Sequence, residues 1–337
     1  MPQHIAGFPN EVRLPVVIAV LTYHRNDTLP RTVDALLEAC QDYPAASVLV
    51  IDNDPSGDAE PIVSALADGA RRGTLRYVQE PRPGIAAARN RALQESADAR
   101  LLVFIDDDEQ PTSGWLGHLI GLFQEREPAA IAGPVVSAFA RPPDPWIEAG
   151  RFFARRRLPT GSAIGWAATN NLLLDMAQIR PLGITFDDRF GLTGGSDTLF
   201  TKQLVRSGRT ILWCDEAVVI DHVPASRLSR QWVLQKAFRL GNVTPRIETT
   251  MAAPGFDRLR IRATYVVSGA ARIVIGIARS AFGFVTGDIR HRARGARLAV
   301  RGAGITLGAL GYRYVEYSRT QQARTIASSA DAAYGLP

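Results

Sequence analysis

Short apolar runs and helical patterns take turns along the first third of the chain. Residues 15–22, Pro-Val-Val-Ile-Ala-Val-Leu-Thr, are rich in β-branched side chains and too short for a helix, which predicts a buried strand. Asp27 or Thr28 can cap a helix with Pro30 in its first turn and Val33, Leu36 and Leu37 behind it. Residues 47–52 predict a second strand, a Gly/Pro/Asp turn follows, and residues 60–70 predict a helix. A third strand over 75–79, a Pro81-Arg82-Pro83-Gly84 loop, an Ala-rich helix over 85–96 and a fourth strand over 101–105 complete the run.

This alternation predicts an α/β fold of right-handed βαβ units, with a parallel sheet covered on both faces. Ligands of such sheets bind beyond the carboxyl ends of the strands. Thr22-Tyr23-His24-Arg25, Asp52-Asn53-Asp54 and Asp106-Asp107-Asp108-Glu109 each follow directly on an apolar strand. Three separate strands therefore deliver polar groups to one rim. No internal repeat is visible.

The chain has 337 residues, 46% hydrophobic and 21% charged, which suits one large α/β domain with an appendage, or two domains. Its two cysteines, Cys40 and Cys214, rule out a disulfide framework or a Cys-rich zinc site. Both lie in apolar stretches and are expected to be buried free thiols, in keeping with a reducing compartment. Residues 1–14 form a polar arm with no apolar signal-peptide core. The net charge of +6 is unevenly placed. Residues 255–301 hold ten arginines against Asp257 and Asp288, so a strongly basic module is joined to a near-neutral body. That segregation points to an anionic surface met by one end.

Carboxylates at i and i+2 after a strand, as at Asp106 and Asp108, can hold a hard divalent cation beside phosphate oxygens. The alternative is a solvated acidic turn. Asp52 can accept hydrogen bonds from a nucleobase or ribose, or can simply form an Asx turn. Gly84 opens a small-residue helix whose N-terminus suits an anion and whose Arg89 can reach a phosphate; the alternative is a close-packed helix with a surface arginine. Asp197 follows Gly194-Gly195-Ser196 near a helix start, where an ionised carboxylate is favoured and can serve as general base. It could equally be a plain N-cap. His222 can approach a metal–diphosphate or be purely structural. Trp115, spaced helically with Leu116 and Leu119, is expected in the core.

Taken in order, residues 17–25, Val50-Ile51-Asp52-Asn53, Gly84 with Ala88-Arg89-Asn90, Phe104-Ile105-Asp106-Asp107-Asp108-Glu109 and Gly195-Ser196-Asp197 resemble the family 2 glycosyltransferases of GT-A fold. The resemblance covers about two thirds of the chain, to His222. Trp115-Leu116, Gly133-Pro134-Val135, residues 169–173 and Gly194-Gly195-Ser196-Asp197-Thr198 extend it to bacterial exopolysaccharide enzymes of the succinoglycan-biosynthesis type. It implies a Rossmann-type mixed sheet flanked by helices, an inverting displacement, a nucleotide-sugar donor and a divalent metal, Mn²⁺ or Mg²⁺. It also implies roles. Thr22, Tyr23, Arg25, Asp52, Arg89, Asp106 and Asp107 would bind the donor, with Asp52 on the base or ribose. Asp106, Asp108 and His222 would serve the metal, and Asp197 would be the catalytic base. Two departures stand out. Ser196 replaces the usual glutamate before Asp197. The Gln-x-x-Arg-Trp signature of processive synthases is missing, the nearest stretch being Ser229-Arg230-Gln231-Trp232, which points to addition of one sugar per encounter.

Beyond the resemblance, residues 263–287 are mostly apolar but interrupted by Arg272 and Arg279, so no uncharged run reaches the roughly 18 residues of a spanning helix. Arg258, Arg262, Arg272 and Arg279 fall near one helical stripe, and Arg290, Arg294, Arg297 and Arg301 near another. Such helices lie in a membrane interface and are drawn to anionic lipid; the alternative is a hairpin docked on the catalytic domain or on a partner. The expected organisation is an arm over 1–14, a catalytic domain over 15–230, a helical Arg-rich membrane-surface region over 231–319 and a flexible tail over 320–337. The expected location is cytoplasmic, on the inner face of the cell membrane, with a lipid-linked saccharide as acceptor. A sugar-1-phosphate nucleotidyltransferase would need a Gly-rich basic turn after the first strand, which reads Thr22-Tyr23-His24-Arg25 instead. A nucleic-acid-binding protein would interleave exposed aromatics with basic residues across its body, and the charge here is confined to one end.

Overall fold

A computed structural model describes residues 14–70 and 73–315; the tail expected over 320–337, and all of the N-terminal arm except Leu14, lie outside the described residues. The chain opens β1 (Val16–Thr22), α1 (Leu29–Asp42), β2 (Ala46–Asp52), α2 (Glu60–Gly69), β3 (Leu75–Gln79), α3 (Ile85–Glu95) and β4 (Leu101–Asp106). There follow β5 (Glu109–Pro111), α4 (Trp115–Arg126), β6 (Ala130–Ala132), β7 (Val135–Phe139) and α5 (Pro145–Ala149). Then come β8 (Asn171–Asp175), α6 (Met176–Ile179), α7 (Ser196–Arg206), β9 (Ile211–Trp213) and β10 (Val219–Val223). Three long helices close the chain: α8 (Arg230–Met251), α9 (Phe256–Val285) and α10 (Ile289–Ala309).

The main sheet runs β3-β2-β1-β4-β8-β6-β9, and a smaller one runs β5-β10-β7. β1 to β4 are parallel, as the alternation predicts. β8 is antiparallel to both β4 and β6, so the sheet is mixed rather than wholly parallel. The reason lies in the connection. The chain comes back to the main sheet at the carboxyl end of β4, where Asn171 stands opposite Ile105, so β8 runs down β4 in the reverse direction.

Period-two alternation divides the core between the two faces of the sheet. Val16, Ile18 and Val20 pack with Leu29, Val33 and Leu36 of α1 and with Trp115 and Leu119 of α4. Val17, Ala19 and Leu21 pack with Ala86, Ala88 and Ala92 of α3 and with Phe186 and Phe200. Trp115 is a core residue, its indole N–H donating to Asn171 Oδ1 at 2.9 Å. The Asn171 amide also donates to the carbonyls of Pro134 and Ala217, so one side chain ties α4, β8 and the edge of β10 together. Both cysteines are buried and neither is in a disulfide, and burial pushes the Cys214 thiol up to about 11.

The C-terminal helices pack through glycine. Gly269, Gly276 and Gly283 of α9 face α10, where Gly295 and Gly302 face back, and the backbones touch. A side chain on Gly276 would press into Gly295 O at 2.7 Å and Ala299 Cα at 2.8 Å. Gly304 and Gly308 bring the other side of α10 against Phe238 and Asn242 of α8. Asn242 is fully buried; its amide donates to Tyr312 O at 3.0 Å, and its carbonyl accepts from Tyr314 N at 3.1 Å.

The expectation that both arginine stripes face lipid is revised for α10. Arg294 donates to Ala149 O, and Arg297 to Gly150 O and Arg151 O, so these two guanidiniums dock α10 on the catalytic domain. Carbonyls left over at the end of α5 are their partners. α9 behaves differently. Val267, Val274, Ile275, Ile277, Phe282 and Phe284 are all exposed. An 18-residue window of α9 has mean hydropathy 1.4 and is 11% buried, so by length and composition alone this helix could cross a membrane despite its interrupting arginines.

Gly276→Val should therefore destabilise the helical region by about 1–3 kcal/mol through overpacking. Gly117→Ala, in α4 with nothing within 4 Å of the new methyl group, should gain up to about 1 kcal/mol. Thermal unfolding of the two variants followed by circular dichroism checks both signs.

Candidate active site

Strand register builds the rim. Thr22 pairs with Asp52 and Leu21 with Asp106, so the ends of β1, β2 and β4 are level. Tyr23 and Arg25 extend from β1 onto this rim half-buried, with the Tyr23 and His24 rings 4.2 Å apart. Asp52 is turned inward. Its Oδ1 accepts from Asp54 N at 2.9 Å, and its Oδ2 accepts from Tyr77 Oη at 3.0 Å and Ala59 N at 3.2 Å. Only 1% of it is exposed, and burial raises its pKa. In this structure Asp52 shapes the loop beyond β2. Asn53 braces the neighbouring loop, since its amide donates to Glu80 O and Arg82 O and its Oδ1 accepts from Gly84 N.

Gly84 has φ of 110°, a conformation only glycine adopts readily, and a Cβ there would meet Gly191 backbone atoms at 3.1–3.3 Å. That close approach lets Ile85 N donate to Gly191 O and presses the start of α3 against the turn leading to α7. Arg89 of α3 is buried, and its Nη1 donates to Ser196 Oγ at 2.7 Å, while its Nε has no partner among the described residues. The serine standing where the family carries glutamate thus meets this arginine without neutralising it. Gly195 has φ of 94°, and Val243 of α8 packs where a side chain would stand. Asp197 follows in the first turn of α7, half-buried, its Oδ1 accepting from Thr198 N at 2.7 Å.

Acidic groups crowd the end of β4. Burial, then the Asp108 charge, raises the pKa of Asp106, with Arg89 opposing and Asp197 and Asp221 adding to the rise. Burial pushes Asp107 up to about 7, with Arg25 opposing. Burial, then Asp106 and Asp221, raises Glu109 well above the usual carboxylate range. Asp108 is compensated by Arg227 at 3.0 Å and Arg25 at 3.7 Å. The Nε2 of His222 sits 2.6 Å from Gln110 Oε1, and its backbone N–H donates to Asp108 O. Burial, then Arg31, lowers its pKa and favours the neutral imidazole that a metal requires.

Hard carboxylate oxygens at a strand end, with the His222 imidazole near Asp108, are donors of the type a divalent cation takes, but among the described residues their ligand atoms do not gather three together within 4.8 Å of one another. A second set lies where β1 and β2 end. The ligand atoms of His24, Asp54 and Asp58 lie within 4.8 Å of one another.

Three contributors escape a reading of the sequence. Asp221 pairs across β10 and β5 with Glu109 and bonds Arg155 at 2.7 Å. Its neighbour His222 is conspicuous by type, whereas Asp221 shows its role only through register. Arg227 belongs to a short turn with no periodic signal. Asn170 donates to Glu109 Oε1 at 3.2 Å from within the Thr169-Asn170-Asn171 stretch.

A Rossmann-type sheet with an acidic rim and a carboxylate at a facing helix start is the arrangement of a GT-A glycosyltransferase. Among solved structures, the chain is similar to the mannosyltransferase PcManGT from Pyrobaculum calidifontis in complex with GDP-Man and Mn²⁺, at TM-score 0.56 and 16% identity over 86% of each chain. It is also similar to S. aureus TarS 1-349, at TM-score 0.52 and 14% identity over 91% of this chain and 97% of that one. Residues 17–173 match Glycosyl transferase family 2. Over 314 residues the chain is 32% identical to the succinoglycan biosynthesis protein ExoM of Rhizobium meliloti (strain 1021), covering 91% of this chain and 96% of that protein. The chain belongs to glycosyltransferase family 2 and is a glycosyltransferase.

The inward placement of Asp52 makes its bonds measurable as stability. Tyr77→Phe should cost about 0.5–1.5 kcal/mol for one lost hydrogen bond. Asp52→Asn should cost more, because an amide can accept at only one of its two heavy atoms. Chemical denaturation of both variants checks the order; equal or negligible losses would contradict it.

Proposed function

We propose that this enzyme moves one sugar from a nucleotide-sugar donor to a lipid-linked saccharide, with inversion, in exopolysaccharide or cell-surface glycan synthesis. The observation that carries the reading is the meeting of Asp197 with the acidic rim. A carboxylate in the first turn of α7 lies close enough to Asp106 to raise its pKa, and Arg89 stands between the two elements. The relative named for succinoglycan biosynthesis supports the pathway class. The solved neighbour holding GDP-Man and Mn²⁺ supports a nucleotide-sugar donor and a divalent metal.

Chemically, an acceptor hydroxyl oxygen attacks the anomeric carbon from the side opposite the diphosphate. The new C–O bond forms as the bond to the diphosphate oxygen breaks, and that oxygen leaves with the electron pair. Asp197 takes the hydroxyl proton. A divalent cation held by Asp106 and Asp108, with His222 beside them, would supply Lewis-acid compensation for the departing diphosphate. Arg89 brings a fixed positive charge to the same side. Tyr23, Arg25 and Thr22 line the nucleotide, and Asp52 acts on the base through the loop it holds. The exposed apolar face of α9 and its arginines support a place at the inner surface of the cell membrane, where enzyme and lipid-linked acceptor share a plane.

Asp197→Asn should leave donor affinity within a few-fold of wild type while transfer falls by about two to four orders of magnitude. Calorimetry with the donor, paired with product formation on a lipid-linked acceptor extract, makes the test. Transfer near the wild-type rate would place the base elsewhere. Asp108→Ala should abolish Mn²⁺-dependent binding of UDP or GDP with the fold intact. Unchanged metal-dependent affinity would sink the metal assignment.

A further inference from the structure

A cleft of about 340 Å³ lies away from the rim, where the turn before α7 meets α8, the start of α9 and the end of α10. It is within the size range of small-ligand sites. Its walls carry Arg189, Arg246, Arg258, Arg262 and Arg313, with Phe190 at the back. Arg189 is paired with Asp187 at 2.6 Å. For the other four, no carboxylate lies within salt-bridge distance among the described residues. Arg246 sits over the Phe190 ring, and its Nη1 is buried without a hydrogen-bond partner. Burial, then Arg313, lowers its pKa. Converging guanidiniums, one with an unsatisfied buried donor, form a receptor for a multiply charged anion.

Two neighbours narrow the ligand. Phe256 and Leu259, beside Arg258 and Arg262 on α9, are 77% and 65% exposed, so apolar surface begins where the arginines end. On the other side, Phe190 packs with Leu199 of α7, two residues beyond Asp197, and Gly191 accepts from the first N–H of α3. The cleft thus lies between an exposed apolar helix and the elements that carry Asp197 and Arg89.

We propose that this cleft binds the diphosphate of an acceptor in which that group joins an apolar chain to the saccharide. The arginines hold the phosphates, the chain lies along α9, and the saccharide extends toward Asp197. A diphosphate esterified at both ends carries about one negative charge on each phosphate at neutral pH, and the guanidiniums of Arg246, Arg258, Arg262 and Arg313, none held by a carboxylate among the described residues, are enough to offset both. The inference rests on the lipid-linked acceptor proposed above. Calorimetry requires no turnover, so failure of the cleft and failure of that reading are seen separately.

The test uses the full chain in EDTA, which keeps metal from the acidic rim. The titrants are sodium pyrophosphate, farnesyl diphosphate and farnesol. Farnesyl diphosphate should bind more tightly than pyrophosphate, and farnesol should not bind measurably. Arg262→Ala/Arg313→Ala, two substitutions outside the donor site, should weaken both diphosphates at least tenfold and, in a separate titration with Mn²⁺ in place of EDTA, leave UDP or GDP affinity unchanged. Undiminished binding in that variant overturns the cleft as the site. Equal affinity for pyrophosphate and farnesyl diphosphate overturns the apolar chain as part of the ligand. Phosphatidylglycerol vesicles that displace farnesyl diphosphate, where phosphatidylcholine vesicles do not, would assign the cleft to bilayer headgroups instead.

Discussion

Carboxylates packed side by side at the end of β4, with little water among them, impose the constraint that organises this molecule. Asp107, Asp108 and Glu109 are buried, and Asp221 is brought up against Glu109 by the pairing of β10 with β5. Such a concentration of negative charge in a poorly solvated place is tolerable only with compensation close at hand. Compensation comes from four directions. Arg25 arrives from the end of β1, Arg89 from α3, Arg155 from the segment before β8 and Arg227 from the turn before α8. Much of the local architecture is the means of delivering these guanidiniums. The φ of Gly84, the Asn53 bonds to the 80–84 loop and the glycine pair before α7 all serve to bring α3 and α7 within reach of β4.

The helical region answers a different problem. α10 has to lie against α8 on one side and α9 on the other, and its arginines have to find partners. Glycine solves the first by removing side chains from both seams, so that backbone meets backbone. Carbonyls at the end of α5 solve the second for Arg294 and Arg297. What remains uncovered is the outer face of α9, where Val267, Val274, Ile275 and Ile277 stay exposed.

The sheet was legible because β-branched runs of five to seven residues, each followed by polar groups, have few other ways to fold; β1 is buried along its whole length. The antiparallel return of β8 was not, since nothing in Asn-Leu-Leu-Leu-Asp carries direction. Polar residues at strand ends located the rim, but residue type alone could not tell a ligand-facing carboxylate from one committed to its own loop, and Asp52 falls in the second group here. Arg227 and Asp221 were invisible because their positions depend on register across separate strands. Arginine spacing correctly marked helices, yet the same four-residue period suits a lipid-facing stripe and a docking stripe alike. Only the presence of residues 149–151 beneath α10 decides between them.

The glycine seam between α9 and α10 has a mechanical meaning. Helices joined through bulky side chains can shift by letting those chains change rotamer; helices in backbone contact have no such slack. Because α10 is also pinned to α8 and to the end of α5, α9 stands as a stiff outrigger on the catalytic body. Whatever the outer face of α9 rests upon is then held at a set height and tilt from the acidic rim, and seven-residue glycine spacing in α9 encodes that distance as much as any residue that touches a substrate.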